Sequence, residues 1–147
     1  MGDGESNVEV GTVELRFPPY PEHLALVRLA LTGVAAVGEA SEELLADLKL
    51  AVTEACTNAI QHAYPDGDSE SSEVVVRFTL QPNEITVEVE DAGVGFDAAG
   101  RVHPPGASAP DGGMGLWIIS GLIEDLEIES DAGGSRIAMS RALDRNL

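Results

Sequence analysis

Residues 53–64 read TEACTNAIQHAY and close a stretch whose apolar residues have the spacing of an amphipathic helix. Glu54, Asn58 and His62 recur every four residues, so they form a polar stripe beside the apolar face of that helix. One polar residue at such a place carries little information, whereas three in register require an explanation. We expect a helix that starts near Ser41 and ends near Tyr64, with this stripe as its candidate functional feature.

The remainder of this helix has the pattern of an ordinary core helix. Ser41 is a candidate N-cap, because serine is a preferred residue at this position. The acidic Glu42 and Glu43 follow it in the first turn, where they interact favourably with the positive end of the helix dipole. The apolar positions that recur at helical spacing are Leu44, Leu48, Val52, Ala55 and Ala59. We therefore expect this face to be buried.

The composition predicts one layered domain. The chain has 147 residues, of which 44% are hydrophobic, and this is enough for one sizeable core. Only 4% of the residues are aromatic, so the core must be built mainly from Ala, Val, Leu and Ile. We expect a flexible tail over residues 1–7 and a single α/β or α+β domain over residues 8–147.

The net charge of −18 argues against direct binding of DNA or RNA, whose phosphates require cationic contacts. The charge does not exclude an anionic small ligand, because exposed charges beyond a Debye length of roughly 8 Å are largely screened. Cys56 is the only cysteine, so neither an intrachain disulfide nor a cysteine metal cluster can form. The sequence shows no secretory signal and no membrane anchor, and we expect a cytoplasmic protein.

The other patterns predict the order β-α-α-β-β-loop-α-β-β, which implies a mixed or antiparallel sheet covered by helices on one face. The predicted elements are a strand at 8–17, a helix at 22–37, a hairpin of strands 72–80 and 84–91, a helix at 116–126, and a terminal hairpin of strands 126–131 and 135–143. Residues 92–115 hold seven glycines and three prolines. A loop of this length is usually functional or disordered.

Two glycine-containing segments flank this loop. EDAGVGF (90–96) ends a predicted strand, and its Asp91-x-Gly93-x-Gly95 pattern is also compatible with a simple tight turn. GGMGL (112–116) opens a helix, where its glycines fit either a flexible helix start or a backbone anion site. Each segment by itself leaves both interpretations open.

Together, and in this order, the three segments resemble the N box and the first and second glycine boxes of the nucleotide-binding domain shared by DNA gyrase, Hsp90, histidine kinases and MutL, the GHKL superfamily. The resemblance covers roughly residues 41–140. The stretches EACTNAIQHAY and DGGMGLWII are especially similar to those of the free-standing anti-sigma-factor serine kinases of sporulation and general stress. The resemblance implies a Bergerat-type ATP-binding fold: a two-layer sandwich with a mixed, mostly antiparallel sheet covered on one face by about three helices.

The resemblance also implies ATP and Mg²⁺ as ligands. Asn58 would be the side-chain oxygen ligand of Mg²⁺, in keeping with the preference of this hard cation for oxygen. Glu54 would be the general base toward the attacking hydroxyl. Asp91 would accept a hydrogen bond from the amino group of adenine, and Ser135 falls where the family often has a threonine beside the adenine.

The glycines have implied roles as well. Gly93 would allow close approach to the base, and Gly95 would complete the edge of the pocket. Gly113 and Gly115 would offer their amides to the phosphates. The segment 97–111 corresponds to the ATP lid, although it matches the family poorly.

Two polar residues keep two interpretations each. Arg101 is the only cation of the lid, and it can either neutralise developing phosphate charge or be an ordinary solvated side chain. His62 can belong to the functional stripe, or it can simply cap or pack at the helix end. The second interpretation of His62 is the simpler one.

The implied function is an ATP-dependent protein serine/threonine kinase that acts as an anti-sigma factor: it binds a sigma factor and phosphorylates a STAS-type anti-anti-sigma antagonist. The resemblance also implies a homodimer, with the apolar helix at 24–37 as a candidate shared face, although core packing explains that helix equally well. Two alternatives stay open. One is a non-enzymatic, ATP-binding partner-switching regulator, and the other is a detached sensor-kinase module that phosphorylates histidine.

Overall fold

The elements follow the order that the sequence predicts. The computed structural model describes residues 11–63, 73–92, 113–131 and 133–143. In chain order the elements are β1 (Gly11–Phe17), a 3-10 turn (Pro21–His23), α1 (Leu24–Val37), α2 (Glu42–Asn58), a π-helical turn (Ala59–Ala63), β2 (Val74–Gln81), β3 (Glu84–Asp91), α3 (Gly113–Leu122), β4 (Asp125–Asp131) and β5 (Gly134–Ala142). The predicted tail at 1–7 and the first three residues of the predicted strand at 8–17 lie outside the described residues.

The five strands form one sheet in the order β1-β2-β3-β5-β4. Every pairing among the described strands is antiparallel. Pro82 and Asn83 alone separate β2 from β3, which confirms the predicted hairpin, and β4 with β5 forms the second one. The central strand β3 therefore ends at Asp91 with a neighbouring strand on each side.

The helices cover one face of this sheet, which confirms the predicted two-layer architecture. The five apolar residues predicted for α2 are all buried, from Leu44 to Ala59. Alternate residues of the inner strands face this layer because side chains alternate along a strand. The largest fully buried side chains are Phe78, Leu31, Leu44, Leu48, Ile85, Leu116, Ile119, Ile137, Met139, Val27, Val52 and Val74.

The start of α2 has the predicted cap. Ser41 Oγ accepts a hydrogen bond of 3.1 Å from the backbone N–H of Leu44, and Ser41 itself has extended backbone angles. Such a cap typically contributes about 1 kcal/mol to helix stability. Glu42 and Glu43 lie in the first turn, so the residue at which α2 begins follows from the local sequence of the cap and the first turn.

The helix predicted at 116–126 starts within GGMGL (112–116), the segment expected to open it, but it ends earlier than predicted. It begins at Gly113, because the buried Leu116 and Ile119 pack its first turns onto the core in spite of the glycines. It ends at Leu122, because Asp125 and the residues after it pair with β5. Similarly, the helix predicted from residue 22 begins at 24, after the 3-10 turn.

One side of α1 contributes to the core and the other is exposed. Val27, Leu31 and Val34 are buried. Leu26, Leu29 and Val37 are exposed, with Leu29 at 69%. None of the described helices is long and apolar enough to cross a membrane.

Candidate functional site

Asn58 is a buried polar residue at the end of α2. It is 6% exposed, and within the described parts of the chain its side-chain oxygen Oδ1 has no hydrogen-bond partner. A buried acceptor without a partner costs about 1–3 kcal/mol, so native proteins rarely keep one without a ligand or other use for it. The position therefore has the character of a ligand site.

The donor set around Asn58 fits a magnesium ion held together with phosphates. Among the residues that the structure describes, no group of three or more His, Cys, Asp or Glu side chains could hold a metal by itself. Mg²⁺ is commonly bound by only one or two protein oxygens plus substrate phosphates. The unpartnered amide oxygen of Asn58 meets this requirement.

Glu54 lies one turn before Asn58 on α2, on the same face of the helix. Its side chain is half-buried and lies against the first turn of α3, where a Cβ atom at Gly115 would be 3.0 Å from Glu54 Oε1. The first-turn amides of a helix have no intrahelical acceptor, and they form a natural anion site. The carboxylate and a candidate phosphate-binding turn thus lie next to each other.

Asp91 and Ser135 meet where β3 ends and β5 begins. They are directly paired across the two strands, and Ser135 Oγ donates a hydrogen bond of 2.5 Å to Asp91 Oδ2. Ser135 is 8% exposed. The sequence resemblance places both residues at the adenine, and the fold brings their side chains into contact.

Gly134 is a residue of this site that the sequence reasoning missed. Its φ is +140°, and a Cβ atom there would lie 2.1 Å from the carbonyl oxygen of Asp91. Only glycine fits both conditions. The glycine pair 133–134 indicates a turn in the sequence, but the close contact with Asp91 depends on strand register.

The π-helical turn that follows Asn58 connects the two halves of the site. It packs against β3 and β5, the strands that carry Asp91 and Ser135. Turns of this type are rare in proteins and are frequent at functional sites. The end of α2 therefore lies over the two inner strands that carry the Asp91–Ser135 pair.

The remaining predicted residues cannot be placed. Gly93, Gly95, Arg101 and the whole segment 97–111 lie outside the described residues. The backbone of His62 belongs to the π-helical turn, and its side chain is likewise outside the described part. The roles assigned to these residues stay predictions.

Cys56 lies in α2 between Glu54 and Asn58, but it faces the core. Burial raises the pKa of its thiol to about 12, against the opposing effect of the nearby Arg28. A protonated, fully buried thiol is not a nucleophile at neutral pH. Cys56 is therefore a core residue and takes no part in the chemistry.

Arg141 fixes the distal end of α3, and no sequence pattern indicated this. Its Nη1 donates hydrogen bonds to the backbone carbonyl of Leu122 at 2.9 Å and to Asp47 Oδ2 at 3.1 Å. Asp47 belongs to α2 and Leu122 is the last residue of α3. The arginine therefore ties α2, α3 and β5 together at the end opposite to Gly115.

The open face of the sheet carries paired charges. Arg77 donates to Glu14 and Glu90, and Arg136 donates to Glu88. Hydrogen bonding to Glu90 is the main cause that raises the pKa of Arg77, and hydrogen bonding to Glu88 does the same for Arg136. A concave region of about 490 Å³ borders Asp91 and extends over this face. Strand alternation places these charges on the side opposite to Asn58 and the helices.

Comparison with known proteins shows the family of this chain. The family of the histidine kinase-like ATPase domain matches residues 17–141. The serine-protein kinase RsbW of Bacillus pumilus is 36% identical over 95% of this chain and 90% of its own length. The serine-protein kinase RsbW of Bacillus subtilis is 33% identical over 89% of this chain and 85% of its own. The chain therefore belongs to the histidine kinase-like ATPase domain family, and within it to the family of the RsbW serine-protein kinases.

Solved structures support the fold. A Mycobacterium tuberculosis structure of RsbU and RsbW domains has a TM-score of 0.67 at 20% identity, over 92% of this chain and 33% of that chain. The histidine kinase domain of a blue-light activated kinase from Erythrobacter litoralis has a TM-score of 0.55 at 20% identity, over 86% of this chain and 62% of that one. These likenesses confirm the predicted two-layer ATPase fold.

Proposed function

We propose that this protein is an ATP-dependent serine/threonine protein kinase that acts as an anti-sigma factor, binding a sigma factor and phosphorylating a STAS-type anti-anti-sigma antagonist. The observation that carries the proposal is the arrangement of two side chains on α2. Glu54 lies against the first turn of α3, and the buried Oδ1 of Asn58 has no hydrogen-bond partner among the described residues. Its family, whose relatives include serine-protein kinases, supports the same reaction.

Adenine binds at Asp91 in this proposal. The carboxylate accepts a hydrogen bond from the exocyclic amino group of adenine, whereas guanine presents a carbonyl oxygen at the equivalent position and is repelled. The hydrogen bond from Ser135 holds Oδ2 and so fixes the orientation of the carboxylate. A preference for ATP over GTP follows.

The phosphates lie between α2 and α3. Asn58 would hold Mg²⁺, and the ion when bound neutralises charge on the phosphates. Gly113 and Gly115 lie in the first turn of α3, and in this proposal their backbone amides bind phosphate oxygens. Phosphoryl transfer depends mainly on such positioning and charge neutralisation.

Glu54 is the general base. Its carboxylate takes the proton of the partner's serine or threonine hydroxyl while the hydroxyl oxygen attacks the γ-phosphorus, and ADP leaves with the electrons of the broken phosphorus–oxygen bond. A glutamate one turn from the metal-binding asparagine suits this role, because residues four apart on a helix point the same way.

The other assignments rest on the family alone. Gly93 and Gly95 shape the adenine side of the pocket, and the lid at 97–111 closes over the phosphates with Arg101 as its cation. We place the whole reaction in one ATPase domain over residues 8–147, since the family match spans most of this range. A partner that belongs to RNA polymerase places the reaction in the cytoplasm.

The direct test is incubation of the protein with Mg-ATP and each STAS-type protein that binds to it. We expect acid-stable phosphate on a serine or threonine of the bound partner, and none when EDTA removes the metal. Acid-labile phosphate would instead select the histidine-phosphorylating module. A tightly bound partner that acquires no phosphate would select the non-enzymatic regulator.

A homodimer through α1 is the second part of the proposal, supported by the exposed side chains of Leu26, Leu29 and Val37. Leu29→Gln is expected to convert a dimer to a monomer in sedimentation equilibrium, because it places an amide in an apolar contact. Leu50→Gln, which changes an exposed leucine of α2, is the matched control and should leave the mass unchanged. A monomeric wild-type protein, or equal effects of both variants, would contradict this interface.

A further inference from the structure

We propose that Gly115 is a positioning residue for Glu54: the absence of a side chain at position 115 sets where the carboxylate of the base lies. The inference rests on the proposed function and adds to the phosphate-binding role of the Gly115 amide. It concerns a contact between two segments that lie far apart in the sequence.

The geometry of the contact is close and specific. A Cβ atom at position 115 would lie 3.0 Å from Glu54 Oε1, 3.8 Å from its Cβ and 4.0 Å from its Cδ. Non-bonded heavy atoms pack best at about 3.5–4.0 Å, so a methyl group would overlap mainly with the carboxylate oxygen. The carboxyl end of Glu54 therefore occupies the space that a side chain at 115 would need.

The helices cannot separate to relieve that overlap. The next residue of α3, Leu116, is completely buried, and so is Ile119 one turn later. On α2 the neighbours Val52 and Ala55 are equally buried. Close-packed interiors resist such displacements, so the half-buried carboxylate is the part that moves.

The far end of α3 is fixed as well. Arg141 holds the carbonyl of Leu122 and the carboxylate of Asp47, which joins α3 to α2. A tilt of α3 away from Glu54 would have to strain these hydrogen bonds. A side chain at position 115 is therefore expected to shift Oε1 by a few tenths of an ångström and to leave the helix in place.

Alanine distinguishes this role from phosphate binding, because it keeps the backbone N–H. If Gly115 acted through its amide alone, Gly115→Ala would be nearly silent. Gly121 supplies the matched control: it lies in the same helix, and a Cβ atom there would meet nothing within 4 Å. Gly121→Ala changes the same residue type without reaching Glu54.

The test compares phosphate transfer by the wild type, Gly115→Ala and Gly121→Ala. We expect Gly115→Ala to lower kcat by about three- to fivefold, since a misplacement of 1 Å can cost about 10²-fold in rate and the expected shift is a few tenths of an ångström. The affinity for Mg-ATP, measured by calorimetry, should stay within about twofold, and the thermal unfolding temperature should not fall. Gly121→Ala should match the wild type in kcat.

A double-mutant cycle provides the second readout. Glu54→Asp shortens the side chain by one methylene and withdraws the carboxylate from position 115. Adding Gly115→Ala to Glu54→Asp should then lower kcat by less than about twofold, because the overlap no longer exists. A merely structural role of Gly115 predicts the same factor in both backgrounds.

Three outcomes would overturn the inference. The first is an unchanged kcat in Gly115→Ala, and the second is a rise in the Mg-ATP dissociation constant that accounts for the whole loss of transfer rate. The third is an equal reduction of kcat by Gly115→Ala in the wild-type and Glu54→Asp backgrounds. If the wild type transfers no phosphate, the proposed function fails separately. In that case the contact between position 115 and Glu54 is tested by the ¹³C resonance of the Glu54 carboxyl carbon. This resonance is assigned by its absence from the spectrum of Glu54→Gln. That resonance should shift in Gly115→Ala and stay in place in Gly121→Ala, and the same position in both variants would overturn the contact.

Discussion

Glu54→Gln is expected to lower the rate of phosphate transfer by about 10²–10⁴-fold, the usual contribution of a general base, while the affinity for Mg-ATP stays close to that of the wild type. Glutamine keeps the size of the side chain but cannot take the proton of the attacking hydroxyl. Because Glu54 is only half-buried, the fold should tolerate the change. Single-turnover transfer from γ-labelled ATP to the bound antagonist measures the rate.

Glu43→Gln is the matched control for this experiment, because it makes the same substitution at an exposed position of the same helix. It should transfer phosphate at the wild-type rate. Glu54→Ala should behave as Glu54→Gln does. Phosphate transfer by Glu54→Gln at the wild-type rate would show that Glu54 is not the general base.

Asn58→Ala should weaken ATP binding in the presence of Mg²⁺ by about 10–100-fold, a loss comparable to that seen when the coordination of a bound metal is disturbed. The variant lacks the one buried side-chain oxygen that has no hydrogen-bond partner in the described part of the chain. In EDTA the wild type and the variant should bind the nucleotide equally weakly. Calorimetric titration under both conditions separates the metal-dependent part of the binding.

Asn83→Ala serves as the control for this titration, since Asn83 lies in the exposed β2–β3 turn and is outside the site. Its affinity should be unchanged with and without the metal. Equal affinities of the wild type and Asn58→Ala in Mg²⁺ would show that Asn58 holds no metal. A parallel loss in EDTA would assign Asn58 to the nucleotide itself.

The sequence predicts those features that local chemistry decides. Ser41 with two acidic residues behind it defines the start of α2, and the spacing from Leu44 to Ala59 defines its buried face. The β2–β3 hairpin follows from two alternating segments around Pro82 and Asn83. These signals lie within a few residues of each other, so no knowledge of the fold is needed to find them.

Features that depend on distant residues could not be predicted. The need for glycine at 134 arises from the carbonyl of Asp91, and Arg141 ties two helix segments that lie on either side of the loop. The end of α3 was wrong because residues with helical spacing pair as a strand with β5 instead. In each case tertiary contacts outweigh local preference.

The site residues stay predictions that rest on the family resemblance. That resemblance places Asp91 and Ser135 at one ligand, and the register of β3 and β5 explains how they meet. Neither the spacing nor the resemblance indicated the contact of Glu54 with Gly115. It depends on how closely α2 and α3 approach each other.

A crystal structure with Mg²⁺ and a non-hydrolysable ATP analogue tests the central claim most directly, because it locates adenine, metal and γ-phosphate in one measurement. We expect the adenine amino group at the carboxylate of Asp91, and Asn58 Oδ1 at about 2.0–2.1 Å from Mg²⁺. The γ-phosphate should lie between Glu54 and the first turn of α3. An analogue bound in the concave region on the open face, beside Arg77 and Arg136 and away from Asn58, would contradict the account.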